Sequence, residues 1–500
     1  MDEVISNQRI EKLTAVLEVG KALMAERDLD TLLRTILSEL TRVVEADRSS
    51  LYLVDRDRGE LKTKIAQGMG IEEIRVKIGM GIAGYVAETA QPVNITDAYS
   101  DPRFSQETDR RTGYQTRNML CVPMINKLGD VIGVCQVLNK HDGAFTKEDE
   151  ELLLALAGQA AVAVENAILY EDIQTLFEGF IRASVYAIES RDPTTSGHSE
   201  RVATLTVELS QQVDSVRHGP YAGIRFSRDE IREIRYAALL HDLGKVGVRE
   251  PVLVKAKKLY EGDYMLIQER FGYIKKSIEA DICRKKVNVL LRQSREEAMP
   301  ILEGLDEELK RRSEEIDDYL RFVAQTNLPM EKSRVDRDKL YHIAQCTYRD
   351  AHGADKNYLS TQEVTDLSIG HGSLNAQERQ EIESHVTHTF HYLRRIPWTR
   401  DMRRIPAIAY AHHEKLNGRG YPNGLRSEDI PLQSKIMTIC DIYDALTASD
   451  RPYKRALTPA TAIDILGQEA RGGLLDPDLL DLFVEAKVYT LTHRQPATVG

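Results

Sequence analysis

The stretch IREIRYAALLHDLGKVGV, residues 231–248, decides the fold of the C-terminal half of the chain. Ile234, Ala238 and His241 recur at helical spacing, which predicts a helix with one apolar face. A lone histidine on that face would be an ordinary core residue, but Asp242 beside it is harder to explain, because an unpaired buried carboxylate is costly. Adjacent helical residues diverge by about 100°. The pair can therefore flank two metal ions, with the carboxylate bridging them.

A second pair of polar neighbours, His412 and His413, lies in AHHEKLNGRGYPNG, residues 411–424. Two adjacent imidazoles suit two ions a few ångströms apart better than a single ion. Imidazole and carboxylate ligands favour Fe, Mn, Zn or Ni over Ca or Mg. Spacing alone leaves a metal site and structural histidines as equal alternatives. Further candidates on segments with a helical pattern are His198, His385 and Asp441.

Composition narrows the class of protein. A chain of 500 residues predicts two or three domains, and its formal net charge of −11 argues against a general nucleic-acid binder. No apolar run approaches about 20 residues and the N-terminus lacks a signal-peptide core, so we expect no membrane span. The five cysteines are scattered and form no CxxC pair, which is typical of reduced thiols in a cytoplasmic protein.

The N-terminal part changes from helical to strand periodicity. Residues 8–44 have a helical pattern, whereas RSSLYLVD and VIGVCQVLN are short runs rich in β-branched and aromatic residues. NKLGDV, before the second run, reads as a hairpin turn. Residues 1–150 are thus expected to form an α+β domain with an antiparallel sheet.

From Thr146 the pattern is helical for roughly 45 residues, a length of about 65 Å. We expect a connecting helix that packs against a copy of itself. The alternative is two helices broken near Gly179. Residues 181–500 are almost all helical in pattern, and the charge-rich segment 256–370 predicts an inserted helical hairpin or bundle, with a solvated linker as the alternative.

Four ordered blocks in the C-terminal half resemble the HD-GYP family of metal-dependent phosphodiesterases: RDPTTSGHSERV, YAALLHDLGKVGV, YAHHEKLNGRGYPNGLRSEDIPL and DIYDALTASDRPYKRAL. A weaker block is IESHVTH. The resemblance covers residues 181–250 and 375–490. It implies hydrolysis of cyclic di-GMP, or a related cyclic dinucleotide, to the linear dinucleotide pGpG and to GMP.

The same resemblance implies a ligand set for two divalent metal ions, iron first and manganese as the alternative. Where some family members place a glutamate for a third ion, this chain has Thr194, and Asp192 is the nearest carboxylate. Lys245, four residues after His241, is expected on the same helical side and near a phosphate oxygen, acting in catalysis with the bridging Asp242. The implied metal ligands are His198, His241, Asp242, His385 (with His388 as the alternative), His412, His413 and Asp441, and the implied substrate contacts are Lys245, Tyr421, Arg451 and Lys454.

The N-terminal part, over roughly residues 25–170, resembles a GAF domain in GMGIAGYVAETAQPVNITDAYSDPRF, TGYQTRNMLCVPMINKLGDVIGVCQVLNK and FTKEDE. Asn139, Lys140, Phe145, Asp149 and Glu150 match the signature of the cyclic-nucleotide-binding subgroup. We expect Lys140 and Asp149 to pair between the end of the sheet and the start of the helix. The alternative is an exposed ion pair contributing less than about 1 kcal/mol.

Such a domain implies a regulatory cyclic nucleotide, cAMP or cGMP, and Gln136 in place of the subgroup's glutamate leaves that choice open. Ile82 and Ala83 would begin a helix whose free N–H groups suit a cyclic phosphate. Simple dimerisation or another small ligand is the alternative role. The pocket residues implied are Ser50, Ile82, Ala83, Asp97, Ser105, Asp109, Thr112 and Thr116.

The sequence therefore predicts a multidomain chain. Its parts are an N-terminal helix (1–24), an α+β GAF sensor domain (25–165), a long connecting helix (150–190) and an all-α HD-GYP domain (185–500) with a helical insertion at about 256–370. The expected protein is a homodimer, paired through the GAF domain and the connecting helix, that hydrolyses cyclic di-GMP under GAF-ligand control. The alternatives are a catalytically weak cyclic-dinucleotide receptor that signals through partners, and a hydrolase of cyclic GMP-AMP.

Overall fold

The structure is a computed structural model that describes residues 18–26, 28–66, 74–192, 196–329, 335–448 and 456–492. The chain divides into two compact units, Met1–Gly179 and Phe180–Gly500. Of the expected N-terminal helix, residues 18–25 are helical and form α1, and residues 1–17 lie outside the described part.

The first unit is an α+β domain built on an antiparallel sheet. The six strands lie in the order β3-β2-β1-β6-β5-β4, and every neighbouring pair is antiparallel. NKLGDV forms the β5–β6 turn as expected, with Asn126 N–H donating to the carbonyl of Asp130 at 2.9 Å. The elements after α1 are α2 (Leu29–Val43), β1 (Ala46–Asp55), β2 (Glu60–Ala66), β3 (Arg75–Lys77), α3 (Gly81–Thr89), β4 (Val93–Ile95), α4 (Glu107–Thr112), β5 (Met119–Ile125) and β6 (Val131–Lys140).

Each face of this sheet buries its own core, because successive strand residues point to opposite sides. Leu51 and Leu53 of β1 pack with α2 and with the first half of the helix that follows β6. Tyr52, between them, packs with Ile82 and Ala83 of α3 on the opposite face. The second face is therefore the one on which α3 lies.

The signature lysine and aspartate of the first unit form an ion pair that is largely shielded from solvent. Lys140 Nζ lies 2.9 Å from Asp149 Oδ1, and the two side chains are 12% and 5% exposed. The carboxylate also accepts the Thr146 N–H at 2.7 Å. The pair joins the last residue of β6 to the first turn of the next helix, so the alternative of an exposed pair is wrong.

That next helix, α5 (Lys147–Glu189), is continuous over 43 residues and runs through Gly179, so the alternative of two broken helices is wrong. It also corrects the expectation that no segment has the apolar character of a membrane span. An 18-residue window of α5 has a mean hydropathy of 1.8, and half of that window is buried inside the protein. A helix in the core of a folded domain can be equally long and apolar.

Among its described residues, the second unit is helical apart from one short hairpin, β7–β8, which an all-α expectation had not included. Its helices are α6 (His198–Ser215), α7 (Arg228–Leu240), α8 (Glu250–Leu253), α9 (Glu261–Arg292), α10 (Arg295–Thr326), α11 (Arg337–Gln345), α12 (Thr361–Leu367), α13 (Ala376–Leu393), α14 (Ile405–Tyr410), α15 (Leu432–Thr447), α16 (Pro459–Arg471) and α17 (Pro477–Glu485), and its strands are β7 (Thr347–Arg349) and β8 (Asp355–Asn357).

The inserted segment folds as a helical hairpin with a core of its own, not as a solvated linker. Ser294 and Glu297 form a reciprocal capping box that begins α10 directly after α9. Ile274 and Ile278 of α9 pack with Ile316 and Val323 of α10 in this core, which also includes residues of α11 and α12. The insertion therefore stands as a packed subdomain between α8 and α13.

Candidate metal centre

The second unit gathers the predicted ligands from five places in the sequence. His198 is the first residue of α6, His385 lies on α13 and Asp441 on α15. The two pairs of adjacent ligands, by contrast, do not lie within helices as expected. α7 ends at Leu240, so His241 and Asp242 form the turn that follows it, and His412 and His413 follow the end of α14 at Tyr410.

A glycine explains why the chain turns after α7. A Cβ on Gly244 would lie 1.9 Å from the carbonyl oxygen of His385, so a larger residue would push α13 away. Thr389 Oγ accepts the Gly244 N–H at 2.8 Å and donates to the His241 carbonyl at 3.0 Å. This threonine, one turn after His385, clamps the turn onto α13.

Asp242 turns its two oxygens toward different histidines. Oδ2 lies 3.3 Å from His241 Nε2, and Oδ1 lies 3.3 Å from His385 Nε2. Asp441 repeats the arrangement, with Oδ1 3.2 Å from His198 Nε2 and Oδ2 3.9 Å from His413 Nδ1. Each of the two carboxylates thus faces imidazoles at both of its oxygens. This arrangement is expected for a pair of metal ions.

Three of the histidines are held with one ring nitrogen directed into the site. His241 Nδ1 donates to the carbonyl of Ala238 at 2.7 Å, and His385 and His412 each donate in the same way to the carbonyl three residues earlier, at 2.6 Å. A carbonyl only accepts, so Nδ1 carries a proton, and in the neutral ring Nε2 presents a lone pair. Within the described part of the chain, the three Nε2 atoms are buried without a hydrogen-bond partner. Buried unpaired acceptors are costly, and a divalent cation fits them.

His198 is oriented by a carboxylate instead of a carbonyl. Its Nδ1 lies 2.7 Å from Asp444 Oδ2, and Arg201 donates to both oxygens of that carboxylate at 2.7 and 3.1 Å. Burial disfavours the charged ring, but Asp441 and Asp444 outweigh burial and raise the pKa of His198 to about 9. A metal ion at Nε2 would have to displace that proton.

The remaining charges suit cation binding. Burial, together with neighbouring histidines, holds the pKa of His412 well below its usual value, and burial lowers the pKa of His413 to about 3, so both rings are neutral. Burial would raise the pKa of Asp242 and Asp441. His241 and Lys245 outweigh burial and lower the pKa of Asp242, and His198 and His241 do the same for Asp441. His412 and His413 therefore bring neutral imidazoles to two ionised carboxylates, a combination of ligands of the kind that binds Fe, Mn or Zn.

Lys245 lies at this site as expected, but it is not carried by the expected helix. It lies in the short helical turn Leu243–Gly247, not on α7, and its Nζ is 2.7 Å from Asp242 Oδ2. Burial opposes its charge, but Asp242 and then the buried Asp192 outweigh that effect and raise its pKa. Lys245 is therefore a cation at the edge of the site.

The loop after the paired histidines places Tyr421 on the site. The Tyr421 ring lies on the ring of His413, with centroids 4.8 Å apart. The buried Glu414 accepts the N–H groups of Asn423 and Leu425, both at 2.8 Å, and so fastens the loop from inside. A Cβ on Gly420 would lie 2.3 Å from the Lys415 nitrogen, so this close approach requires glycine.

The described structure does not place every predicted residue in this constellation. Arg451, Lys454 and Thr194 lie outside the described residues. His388 packs its ring against Gly247, where an added Cβ would be 2.9 Å from it, and it is absent from the groups of described ligand atoms that approach one another. The geometry thus favours His385 over His388.

Sequence reasoning missed Asp444, Thr389 and Glu414, which orient the ligands. Asp444 could have been found, because it lies three residues after Asp441 on one helix face, within DIYDAL. Glu414 directly follows the paired histidines. Thr389 carried no signal of its own, since an isolated threonine in a helix is usually unremarkable.

In the first unit, the predicted pocket residues lie around α3 and the sheet edge. Ile82 and Ala83 lie in the first turn of α3 and are buried, and Ser50 is on β1. Asp109 accepts the Thr116 N–H and hydroxyl at 2.8 and 2.9 Å, so these two pair with each other. Of the others, Asp97 caps the turn Ala98–Ser100, Ser105 is exposed, and the Thr112 side chain is outside the described part.

Family models agree with this division of the chain. Residues 28–164 match the model described as a GAF domain, and residues 195–326 and 361–479 match two models described as an HD domain. The chain therefore combines a GAF domain with an HD-type domain. The first HD match extends through α9 and α10, and the second begins at α12. All the predicted metal ligands lie within one of the two matches.

Curated relatives share part of the chain. It is 37% identical over 158 residues to a "Probable 3',5'-cyclic phosphodiesterase pde-5" of Caenorhabditis elegans, covering 29% of this chain and 22% of that protein. It is 39% identical over 168 residues to a "Dual 3',5'-cyclic-AMP and -GMP phosphodiesterase 11A" of Takifugu rubripes, covering 31% and 18%. The chain thus spans about a fifth of the length of these relatives.

Among solved structures, the GAF domain of a phosphoenolpyruvate-protein phosphotransferase from Coxiella burnetii covers 33% of this chain and 98% of that one, with a TM-score of 0.31 and 23% identity. A free methionine-R-sulfoxide reductase from Neisseria meningitidis covers 33% and 93%, with a TM-score of 0.29 and 20% identity.

Proposed function

We propose that this chain is a metal-dependent phosphodiesterase whose substrate is a cyclic dinucleotide, cyclic di-GMP in the first place. The observation that carries the proposal is the convergence of five histidines and two aspartates, three of them with buried Nε2 atoms that lack a hydrogen-bond partner among the described residues. Such a set is costly to fold unless it binds cations. We place the protein in the cytoplasm.

Two divalent ions, when bound, supply water activation at neutral pH and neutralisation of phosphodiester charge. The chain's own residues hold that chemistry in place. Asp242 and Asp441 offer oxygens to both sides of the site, and the carbonyl-bound histidines keep their Nε2 lone pairs directed inward. Lys245 is charged beside Asp242 and can attract a phosphate oxygen. Tyr421 offers a ring face on which a base could stack. By the HD-GYP resemblance, Arg451 and Lys454 would contact the dinucleotide as well.

Substrate class is tested by incubating protein loaded anaerobically with Fe²⁺ or Mn²⁺ with cyclic di-GMP, cyclic GMP-AMP, cAMP and cGMP in parallel. We expect pGpG or GMP from cyclic di-GMP. Turnover of cyclic GMP-AMP alone would move the proposal to that dinucleotide. Binding of cyclic di-GMP without turnover, unaltered by metal, would replace the enzyme with a receptor that signals through partners.

The names of the relatives introduce cyclic mononucleotides as a second ligand class. One is called a probable 3',5'-cyclic phosphodiesterase and the other a dual cyclic-AMP and -GMP phosphodiesterase, and each alignment covers about a third of this chain or less. We assign cAMP or cGMP to the GAF domain as a regulatory ligand, because α3 packs on the sheet face of Tyr52 and its N-cap, Met80, makes no side-chain hydrogen bond to the first-turn N–H groups. Hydrolysis of cAMP or cGMP in the parallel assay would instead make them substrates.

The GAF ligand is tested with Thr116→Ala, which removes a hydroxyl that donates to Asp109. We expect the variant to lose any effect of cAMP or cGMP on the hydrolysis rate while keeping its basal rate. Thr96→Ala, on an exposed neighbouring residue, is the matched control. An unchanged response in Thr116→Ala, and also in Asp109→Ala, would reject this pocket.

The partner of α5 is proposed to be a second copy of the chain. Between the two units, α5 exposes Leu169, Ile173, Leu176 and Phe180, which are 54–75% exposed and recur at spacings of four, three and four. That repeat continues through exposed Asn166, Ala183 and Ala187. Ile at one core position and Leu at the other favours a parallel two-stranded coiled coil. We call residues 166–187 at this repeat the α5 seam.

The α5 seam is made of exposed residues, and the buried residues of α5 lie at other positions. Val164 and Ala167 are buried in the first unit, and Ile181 and Val185 are buried in the second. None of these four positions belongs to the repeat of the seam. A polar residue such as Asn166 at a core position fixes register in paired helices.

A further inference from the structure

The end of α5 meets the start of the helix that carries His198. α6 begins at His198, and its N-cap, Gly197, has no side chain to accept the first N–H groups of the helix. Helices leave these N–H groups without partners inside the helix, so they need an acceptor from elsewhere. The acceptor here comes from another element.

That acceptor is Glu189, the last residue of α5. Its Oε2 accepts the Gly197 N–H at 2.8 Å, and its Oε1 accepts the Ser199 N–H at 3.0 Å. The two N–H groups lie on either side of His198. A carboxylate at a helix N-terminus is also favoured by the helix dipole. One side chain of α5 therefore fixes the backbone from which His198 extends.

Residues next to Glu189 form a second connection between the end of α5 and the metal site. Arg191 Nη1 donates to the Val246 carbonyl at 2.7 Å, in the turn that carries Lys245. Val185 and Ile188 of the last turns of α5 line a small pocket together with Asp242 and Lys245. The end of α5 thus contacts both the His198 backbone and the Asp242 turn.

We infer that Glu189 is a positioning residue that joins the end of α5 to the metal ligand His198, an inference that rests on the proposed metal site. His198 is otherwise held at its ring by Asp444, so Glu189 sets the backbone and Asp444 sets the ring. Any displacement of the last turn of α5 within this unit would then move His198 relative to Asp441, which lies on a different helix.

The test measures metal binding in the full-length protein, without reference to hydrolysis. Metal-free wild type, Glu189→Gln and Glu189→Ala are titrated with Co²⁺ against a chromophoric chelator, and the visible Co²⁺ spectrum is recorded. Gln keeps one acceptor and Ala keeps none. We therefore expect affinity for one of the two ions to fall by about 10-fold in Glu189→Gln and further in Glu189→Ala, within the range that outer-shell partners of metal ligands show.

Glu171→Gln is the matched control, because Glu171 is an exposed glutamate of the same helix. It should bind Co²⁺ with wild-type affinity and spectrum. A Glu189→Gln variant that is folded by circular dichroism and binds Co²⁺ as the wild type does would overturn the inference. If Glu189→Ala does not fold, the Gln variant decides. Failure of the wild type to bind Co²⁺ at all would instead reject the proposed metal site.

Discussion

At the scale of single residues, the metal centre is determined by what orients each imidazole. His241, His385 and His412 use a backbone carbonyl three residues earlier, which a helical turn supplies without any special residue. His198 is the first residue of its helix, and its Nδ1 is paired with the carboxylate of Asp444. A sequence can show the histidines, but the carbonyl that orients each of them appears only after folding.

Asp444 should therefore matter to metal binding although it is not expected to touch the ions. Asp444→Asn replaces the charged carboxylate that binds both His198 and Arg201 with a neutral amide. We expect affinity for one ion to fall by about 10- to 100-fold, measured by competition with a chelator. Asp481→Asn, at an exposed aspartate on α17, should change nothing. Equal affinities in the two variants would show that Asp444 does not orient the ligand.

Gly420 should matter to substrate and not to metal. In Gly420→Ala the new Cβ would overlap the Lys415 nitrogen and the Glu414 Cα, 2.3 and 2.4 Å away, and would displace Tyr421. We expect the hydrolysis rate to fall by about 100-fold, the cost of an ångström-scale misplacement, with metal content unchanged. Steady-state kinetics measure the hydrolysis rate, and metal analysis measures the metal content.

Gly304→Ala is the control for that substitution, since Gly304 lies within α10 with open space around it. It should keep full activity and gain about 0.5–1 kcal/mol of stability, because alanine favours a helix interior. A Gly420→Ala variant that is as active as Gly304→Ala would contradict the assigned role of the loop.

At the scale of elements, the junction of β6 and α5 is stabilised by the Lys140–Asp149 pair. Burial would raise the pKa of Asp149, but the Thr146 N–H and Lys140 outweigh burial and lower it. Because the folded-state pKa lies below the unfolded value, the carboxylate contributes stability above about pH 4, and this is lost as the pH falls further.

Asp149→Asn should therefore lower the free energy of unfolding of the first unit by about 2 kcal/mol at neutral pH. The difference from wild type should shrink as the pH falls below about 4, because both proteins then lack the charge. Urea unfolding of the full chain at several pH values measures this. Asp142→Asn, at an exposed aspartate nearby, is the control. A difference that does not depend on pH would exclude the ion pair as its cause.

Elements were predicted well where periodicity was long and poorly where tertiary contacts decide. The 43 residues of α5 follow from an unbroken helical pattern. The end of α7 at Leu240 could not be predicted, since HDLGK continues the helical pattern and only the contact of Gly244 with α13 stops it. The β7–β8 hairpin, three residues per strand, is too short for a strand pattern to show.

At the scale of the whole molecule, the α5 seam predicts the oligomeric state. Ile173→Asp would place a carboxylate in the apolar core between two paired helices, where its burial is costly. We expect the wild type to sediment as a dimer and the variant to shift toward the monomer, measured by analytical ultracentrifugation. Gln174→Asp, an exposed neighbour that lies outside the seam, is the control and should stay dimeric. A wild-type monomer at high concentration would contradict the proposal.

The order of the domains could be read from the sequence, and so could most of the residues that the structure brings together as the proposed ligand set, because the histidine and aspartate blocks are local and ordered. What could not be read is how the blocks meet across the inserted segment 256–370. That segment proved to be packed around its own core, so the chain can leave α8 and return at α13 without disturbing the site. Local patterns show neither that core nor the hydrogen bonds by which Tyr260 and Asp366 of the segment meet the start of α13.

The central claim is that these residues bind two metal ions and that hydrolysis depends on them. The most direct measurement adds Mn²⁺ or Fe²⁺ in steps to metal-free protein and follows cleavage of cyclic di-GMP at each step. We predict no cleavage without metal, saturation at about two ions per chain, and a loss of cleavage in Asp242→Asn at every step. Cleavage that proceeds in the presence of a chelator, or metal-saturated protein that leaves cyclic di-GMP intact, would contradict the account.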